Sequence, residues 1–411
     1  MLAADESLDS PTRLMVNPAR ILLLTGTAPG EPGVGGVILR DLVRIAGAEH
    51  CQCCWLAPRH GGQQPFLSEL ATTVHPRRYE TGYRPFKGLG GEVISSLALQ
   101  LLRPRMIRDA CRTVETIAKA QRPDYILVVL ESPAAIQVAR AVHQRTGIPL
   151  RSIVWDDVDL FCRQGMFDRW TRARIERDFG RVLKASERVA VICENMQRDY
   201  RQHYGIESQI LRHGIPSDPA VGTSDARSRD YCVIGFAGSV TAPDCLQSLV
   251  QALDQTNWQL NGSDVALRLV GARYLLDSRK PQRIEYFGWR TVTETRALLA
   301  DCDVLYLPQS FEPESRKFSE LSFPTKLSTY VAAGRPILLH APHYASLTDV
   351  WSQFELGPAC HDTDPTAVRH VLESALQSKS AKRWKSEVLR AHEEFLSVSR
   401  FEASVQRLIG V

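Results

Sequence analysis

The chain lacks any apolar run of the ~18 residues needed to cross a bilayer, and its start, Met1 to Asn17, is polar with no signal-peptide core. Those absences predict a cytoplasmic protein. Net charge is scarce as well: 50 Lys and Arg stand against 46 Asp and Glu, a formal +4 over 411 residues, so there is no general case for nucleic acid as a partner. The ten cysteines lack the second Cys/His pair that a zinc finger needs. Their densest run, His50-Cys51-Gln52-Cys53-Cys54, continues into Trp55-Leu56-Ala57-Pro58 and reads as a strand, so buried thiols are expected rather than a metal site. An Asp-x-Asp in a setting suited to Mg or Mn is missing too, because Asp301-Cys302-Asp303 precedes a core strand and reads as a helix end. With 44% hydrophobic and 23% charged residues, what remains is a globular chain long enough for two cores.

What is present is an alternation of strands and helices, made twice. Arg20-Ile21-Leu22-Leu23-Leu24-Thr25-Gly26 reads as a buried parallel strand, followed by the glycine loop 29–36 and a helix from Val37. The spacing is not Gly-x-Gly-x-x-Gly, so a dinucleotide fingerprint fits poorly, and the loop serves equally as a tight turn or as a ligand loop through Gly35 and Gly36. Asp124 to Leu130 and Ile148 to Trp155 repeat the strand pattern, and Asp156-Asp157 falls at a strand's carboxyl end, where open α/β sheets place ligands. After a polar linker the alternation restarts with Cys232-Val233-Ile234-Gly235-Phe236-Ala237-Gly238-Ser239. Between Tyr83 and Arg112, Arg84, Lys87, Arg103, Arg105, Arg108 and Arg112 interleave with Phe86, Leu89, Val93, Ile94, Leu97, Leu101, Leu102 and Ile107. That pattern suits a helix packed on the sheet or a face held against an anionic lipid surface.

The stretch Ser322 to Leu339 organises the second half. Pro324 suits a helix's first turn, Gly334 suits the left-handed stop after its last, and Pro336 releases the chain into Ile337-Leu338-Leu339. Phe323, Leu327, Tyr330 and Val331 give the helix an apolar side, while Thr325 and Lys326 set a hydroxyl and a cation at its start, where a phosphate would be stabilised.

Phe323-Pro324-Thr325-Lys326, a helix, then Ala332-Ala333-Gly334-Arg335-Pro336 resembles the signature of GT-B glycosyltransferases, in particular the retaining group that includes bacterial polysaccharide and lipopolysaccharide transferases. Two positions depart from that pattern: Thr329 stands where the family usually has a Glu for the ribose hydroxyls, and Asp244 stands about where a Lys is common. The resemblance implies an α/β chain of the GT-B class, two Rossmann-like domains with parallel sheets facing an interdomain cleft. It divides the chain into residues 18–215 for the acceptor, a linker at 216–230, residues 231–390 for the nucleotide sugar, and 391–411 as a helix returning to the first domain. It further implies a retaining, metal-independent transfer from a UDP- or GDP-linked sugar, with no cofactor, to a sugar or lipid-linked acceptor in polysaccharide or glycolipid biosynthesis. Lys326, Asp156 and Glu320 are the catalytic candidates. Gly35, Gly36, Gly238, Ser239, Gly288, Trp289, Thr325 and Thr329 are the donor-binding ones. Glu312 and Glu320 match a Glu-x7-Glu spacing literally, but alignment on the Gly-x-Pro turn puts the family's pair at Leu321 and Thr329, which leaves Glu320 a neighbour of the aligned position. Two rival readings are a GT-B nucleotide-sugar epimerase, which would turn over without an acceptor, and a non-catalytic GT-B partner subunit, which would bind nucleotide feebly.

Overall fold

The computed structural model describes residues 18–58, 64–76, 90–165, 167–216, 229–271 and 273–410. Parallel strands that are apolar on both faces need helices on either side, and the alternation of the chain supplies them. The first half contains strands β1 (Ile21–Thr25), β2 (Cys51–Ala57), β3 (Ala71–Pro76), β4 (Tyr125–Val129), β5 (Leu150–Val154), β6 (Ser186–Val191) and β7 (Gln209–Ile210). Its helices are α1 (Val34–Ala46), α2 (Gly91–Gln121), α3 (Pro133–Thr146), α4 (Val158–Gln164), α5 (Arg169–Ala185) and α6 (Glu194–Tyr204). The second half contains β8 (Tyr231–Gly238), β9 (Gln259–Leu260), β10 (Ser263–Gly271), β11 (Ile284–Gly288), β12 (Val304–Pro308), β13 (Ile337–His340) and β14 (Ala359–Cys360). Its helices are α7 (Pro243–Gln255), α8 (Val292–Ala300), α9 (Arg316–Leu321), α10 (Lys326–Ala332), α11 (Leu347–Gln353), α12 (Pro365–Ala375), α13 (Ser378–Phe395) and α14 (Val398–Ile409).

The first sheet runs β3-β2-β1-β4-β5-β6-β7 and is parallel throughout; the second runs β11-β10-β8-β12-β13-β14, with β9 added antiparallel to β10. Counted from its own first long strand, each sheet has the order of a doubly wound dinucleotide-type domain, so each has a switch point beside that first strand. These are the two Rossmann-like domains of a GT-B fold. Helix α14 lies against α1 and β6, burying Phe401, Val405, Leu408 and Ile409 in the first domain's core, and the hydroxyl of Tyr125 donates to Ile409 O at 3.2 Å. All ten cysteines are free thiols, nine of them buried, and burial raises the pKa of Cys54 to about 12. No group of His, Cys, Asp or Glu among the described residues is arranged to hold a metal ion.

The structure alters two local readings. The charged stretch 309–321 reads as a loop in the sequence, yet it contains the turn Pro313–Ser315 and helix α9. Ser319 and Leu321 are buried where α9 packs on α6, and the Ser319 hydroxyl donates to Ser310 O at 2.8 Å, so tertiary contacts supply what the pattern lacks. Helix α10 begins at Lys326, two residues later than Pro324 suggests, because the chain closes a turn from Leu327 N to Pro324 O first. Arg84, Phe86, Lys87, Leu89 and most of the linker at 216–230 lie outside the described residues.

Candidate functional site

The carboxyl edge of the second sheet is built around two glycines. Gly238 ends β8 at φ +93° and Gly271 ends β10 at φ +122°; a Cβ on Gly271 would stand 2.9 Å from Gly238 O. Only residues without a side chain allow these strand ends to lie so close in that conformation. The space above Gly238 is filled by Lys326, whose Cε and Nζ would lie 3.3 and 3.7 Å from a Cβ placed there. Tyr330, one turn further along α10, fixes that placement: its buried hydroxyl accepts from Ala237 N at 2.8 Å and fastens the helix over the end of β8.

Lys326 makes no ion pair with any described carboxylate, and burial lowers its pKa from 10.5 to about 8. A half-buried ammonium that carries its desolvation cost without a counter-ion is a ready site for an anion. Thr325 precedes it at the helix start with no capping bond from its side chain. Gly288 ends β11 at φ +65°, and Trp289 beyond it is 69% exposed, so it is not a core residue. Ser239 is exposed, while Thr329 on α10 and Glu320 on α9 are half-buried. Among the described residues no hydrogen bond ties Ser239, Trp289, Glu320 or Thr329 to Lys326. Asp244 has a structural engagement, its Oδ2 accepting from Phe311 N at 2.7 Å and holding the loop after β12.

The first sheet's carboxyl edge is knitted by Glu131, which follows β4. Its Oε1 accepts from Gly26 N at 2.7 Å and from Thr27 N and Thr25 Oγ1 at 2.8 Å; its Oε2 accepts from Thr27 Oγ1 at 2.8 Å. This carboxylate shapes the start of the glycine loop. Gly36 must be glycine for the rest of it, since a Cβ there would stand 2.1 Å from Glu31 O, and Gly35 faces Trp155, whose ring would lie 3.1 Å from a Cβ. Next to Trp155 comes Asp156, raised to a pKa of about 6 by burial first and then by the charges of Glu131 and Asp157.

The two edges meet. Lys317 of α9 pairs with Asp157 at 2.8 Å, Arg163 of α4 donates to Glu314 O at 2.8 Å, and the Ser328 hydroxyl of α10 donates to His213 O at 3.2 Å. The structure therefore unites Lys326 with Gly238, sets Gly35 against Trp155 beside Asp156 and Gly36 against the backbone of Glu31, and leaves the two groups on facing edges. Glu131, Gly271 and Lys317 are the contributors that sequence reasoning did not single out. A carboxylate or glycine at the end of a parallel strand is the available signal for the first two, and Lys317 has none. The carboxylates of Asp301 and Asp303 are engaged by Arg229 and Arg268 and by Val233 N, as befits a helix end.

Residues 33–212 match the model of the glycosyl transferase 4-like domain. A probable glycosyltransferase, WbjE of Pseudomonas aeruginosa, is 21% identical over 258 residues, which cover 57% of this chain and 62% of that relative's length. Among solved structures, Anabaena HepE in complex with UDP and glucose superposes with a TM-score of 0.63 at 14% identity, over 95% of this chain and 99% of that one. Sucrose-phosphate synthase of Thermosynechococcus elongatus gives 0.68 at 12% identity over 95% and 98%. The lipopolysaccharide glycosyltransferase WaaG gives 0.56 at 15% over 95% and 100%. At these identities the structural likeness establishes the GT-B fold, and the domain match places its glycosyl transferase 4-like part on the first sheet.

Proposed function

We propose that the chain is a retaining glycosyltransferase that moves a sugar from a UDP- or GDP-linked donor to an acceptor hydroxyl in polysaccharide or glycolipid biosynthesis. The observation that carries this reading is the unpaired, half-buried ammonium of Lys326 against Gly238, at the switch point of the second sheet. Negative charge develops on the departing nucleoside diphosphate as the glycosidic bond breaks, and a preorganised cation there stabilises the transition state more than the ground state. Thr325 and the Gly238-Ser239 turn border the same diphosphate, and Trp289 offers its exposed ring to the base. Across the cleft, Gly35 and Gly36 face the donor, and Asp156 serves the acceptor side with a pKa near the working range of a general base. Glu320 and Thr329 are assigned to the donor sugar and ribose. Thr329 offers one hydroxyl where a Glu would offer a carboxylate, so the ribose is held less tightly than the family pattern would give. No bound metal is assigned a step in this scheme.

Incubation with a panel of UDP-, GDP- and dTDP-sugars, with and without acceptor extracts, is expected to give nucleotide release that depends on acceptor. Titration with the active nucleotide is expected to quench tryptophan fluorescence in the parent and less in Trp289→Phe. Conversion of the donor into an isomeric nucleotide sugar without acceptor would favour the epimerase reading, and feeble binding with no turnover would favour a non-catalytic subunit.

The acceptor's setting is proposed to be the cytoplasmic face of a membrane. No helix among the described residues is long and apolar enough to cross a bilayer, whereas Val93, Ile94, Leu97, Leu101 and Leu102 of α2 stand 48–76% exposed. With about 1 kcal/mol per basic residue near an anionic surface, a few of the arginines on α2 suffice for weak, salt-sensitive attachment. Flotation is expected to bring the protein up with anionic vesicles and not with neutral ones; equal, negligible recovery with both would overturn this.

A further inference from the structure

Helix α9 is six residues long, fewer than two turns, and a helix that short does not order itself in water. It belongs to the second domain, yet the first domain reaches it at three points. Before its start, Arg163 of α4 donates to Glu314 O at 2.8 Å and is itself steadied by Asp159 at 2.7 Å. In its first turn, Lys317 Nζ meets Asp157 Oδ1 at 2.8 Å. At its end, the thiol of Cys193, the residue that caps α6, donates to Leu321 O at 3.0 Å. Its own domain holds it through Ser319, whose carbonyl accepts from Gln309 Nε2 at 3.1 Å and from Ser346 N at 3.0 Å, and through Arg316, stacked on Tyr344. The helix is shared between the domains.

The central ion pair differs in kind from a surface contact. Asp157 is 5% exposed; it caps α4 by accepting from Asp159 N at 3.0 Å, and it accepts from the buried hydroxyl of Tyr200 at 3.1 Å. Those two bonds fix where its carboxylate points, so Lys317 has to come to it. Without that cation the carboxylate keeps its desolvation cost with less to offset it. Arg198 and Asp349, which join α6 to α11 at 2.9 Å, make the contrast: they are 63% and 51% exposed, and such pairs hold little. Asp157 directly follows Asp156, and Glu320 stands three residues after Lys317 on α9. The pair therefore ties the segment of the acceptor-side candidate to the helix of the donor-sugar candidate.

We propose that Lys317 and Asp157 are positioning residues: their ion pair sets α9, and with it Glu320, relative to the segment of Asp156, so that the acceptor domain completes the donor-sugar side of the cleft. The part given to Glu320 rests on the transferase reading above; the ordering of α9 by the first domain does not.

Hydrogen exchange of α9 in the full chain without substrates tests the ordering. In Lys317→Met the α9 segment is expected to exchange about tenfold faster while β12 and α10 keep parental protection, a figure kept modest because Lys317 is itself half-exposed. With a donor that supports nucleotide release, kcat is expected to fall roughly ten- to a hundredfold with little change in the donor's KM, since what is lost is placement during bond breaking rather than ground-state binding. Lys317→Arg is expected to recover part of both readouts. Asp157→Asn is expected to match Lys317→Met, and the two substitutions together to do no more than either alone. Arg198→Ala, which removes the exposed pair, is expected to be parental in both. Parental exchange in both Lys317→Met and Asp157→Asn would overturn the ordering of α9, and faster exchange with parental kcat would overturn the positioning role. Additive losses in the double variant, or an equal loss in Arg198→Ala, would overturn the pair as the agent. If the parent turns over no donor, the transferase reading fails and takes the part of Glu320 with it, while exchange still decides what orders α9.

Discussion

Lys326→Ala is expected to remain folded and to lose about 10² to 10³ in donor-dependent nucleotide release, roughly 3 to 4 kcal/mol of transition-state stabilisation. Its ammonium is the cation placed at the Gly238 turn, and the glycine surroundings leave it no carboxylate partner among the described residues. Lys326→Arg should retain part of the rate, because charge is kept while the planar fork points elsewhere. The pH profile separates a catalytic role from a structural one. Burial lowers the pKa of Lys326 to about 8, so in the free protein the ammonium needed by the diphosphate is present below about 8 and lost above it. Asp156, raised to about 6, supplies its carboxylate above about 6. kcat/KM should therefore rise through about 6 and fall through about 8, and only the upper limb should vanish in Lys326→Ala.

Stability gives the same substitution a second sign. An ammonium whose folded pKa lies below its unfolded value of 10.5 destabilises the folded protein while it is charged in both states, and that cost is relieved as pH rises from about 8 to 10.5. Near neutral pH, thermal unfolding of Lys326→Ala should accordingly fall no lower than that of the parent. Near-parental turnover, or an unmoved upper limb, would remove the chemical basis for the donor site. A marked loss of stability would instead point to a packing role.

The strands were the legible part of this fold. Ile21–Thr25, Tyr125–Val129 and Val304–Pro308 are short continuous apolar runs, buried at every position, and a parallel sheet covered on both faces demands that pattern. Even the cysteine-rich β2 reads correctly, since a buried thiol behaves as a small apolar side chain. Helix α9 was not legible, because what orders it is the docking of Leu321 and Ser319 on α6 and the hydrogen bonds around Gln309 and Ser310, none of which leaves a periodic trace. The site divides in the same way. The closeness of Lys326 and Gly238 is anticipated by the resemblance, although 88 residues separate them, whereas Gly271 acquires its meaning only when β10 is laid beside β8. The Lys317–Asp157 pair depends on how the two domains face one another.

Glu131 carries the other large expectation, and it too becomes visible only with the sheet order, which sets the end of β4 beside the end of β1. Its carboxylate accepts four hydrogen bonds from Thr25, Gly26 and Thr27, two of them from backbone amides. Glu131→Gln keeps the volume but turns one acceptor into a donor facing other donors. Hydrogen bonds to a charged group are worth about 1.5–3 kcal/mol each, and stranded donors add their own cost, so a loss of roughly 2–4 kcal/mol is expected after local relaxation. In a domain of this size that lowers the unfolding midpoint by about 5–15 °C. Instability alone would not show that the loop serves the reaction. The charge of Glu131 is also one of the causes that raise the pKa of Asp156. Its removal should let that pKa fall, and the acid limb of the kcat/KM profile should move from about 6 toward lower pH while the limb set by Lys326 stays near 8. Nucleotide release followed across pH at a temperature where Glu131→Gln remains folded reads both limbs. A midpoint unchanged from the parent would overturn the structural half of this account, and an acid limb that does not move would overturn the assignment of Asp156 to it.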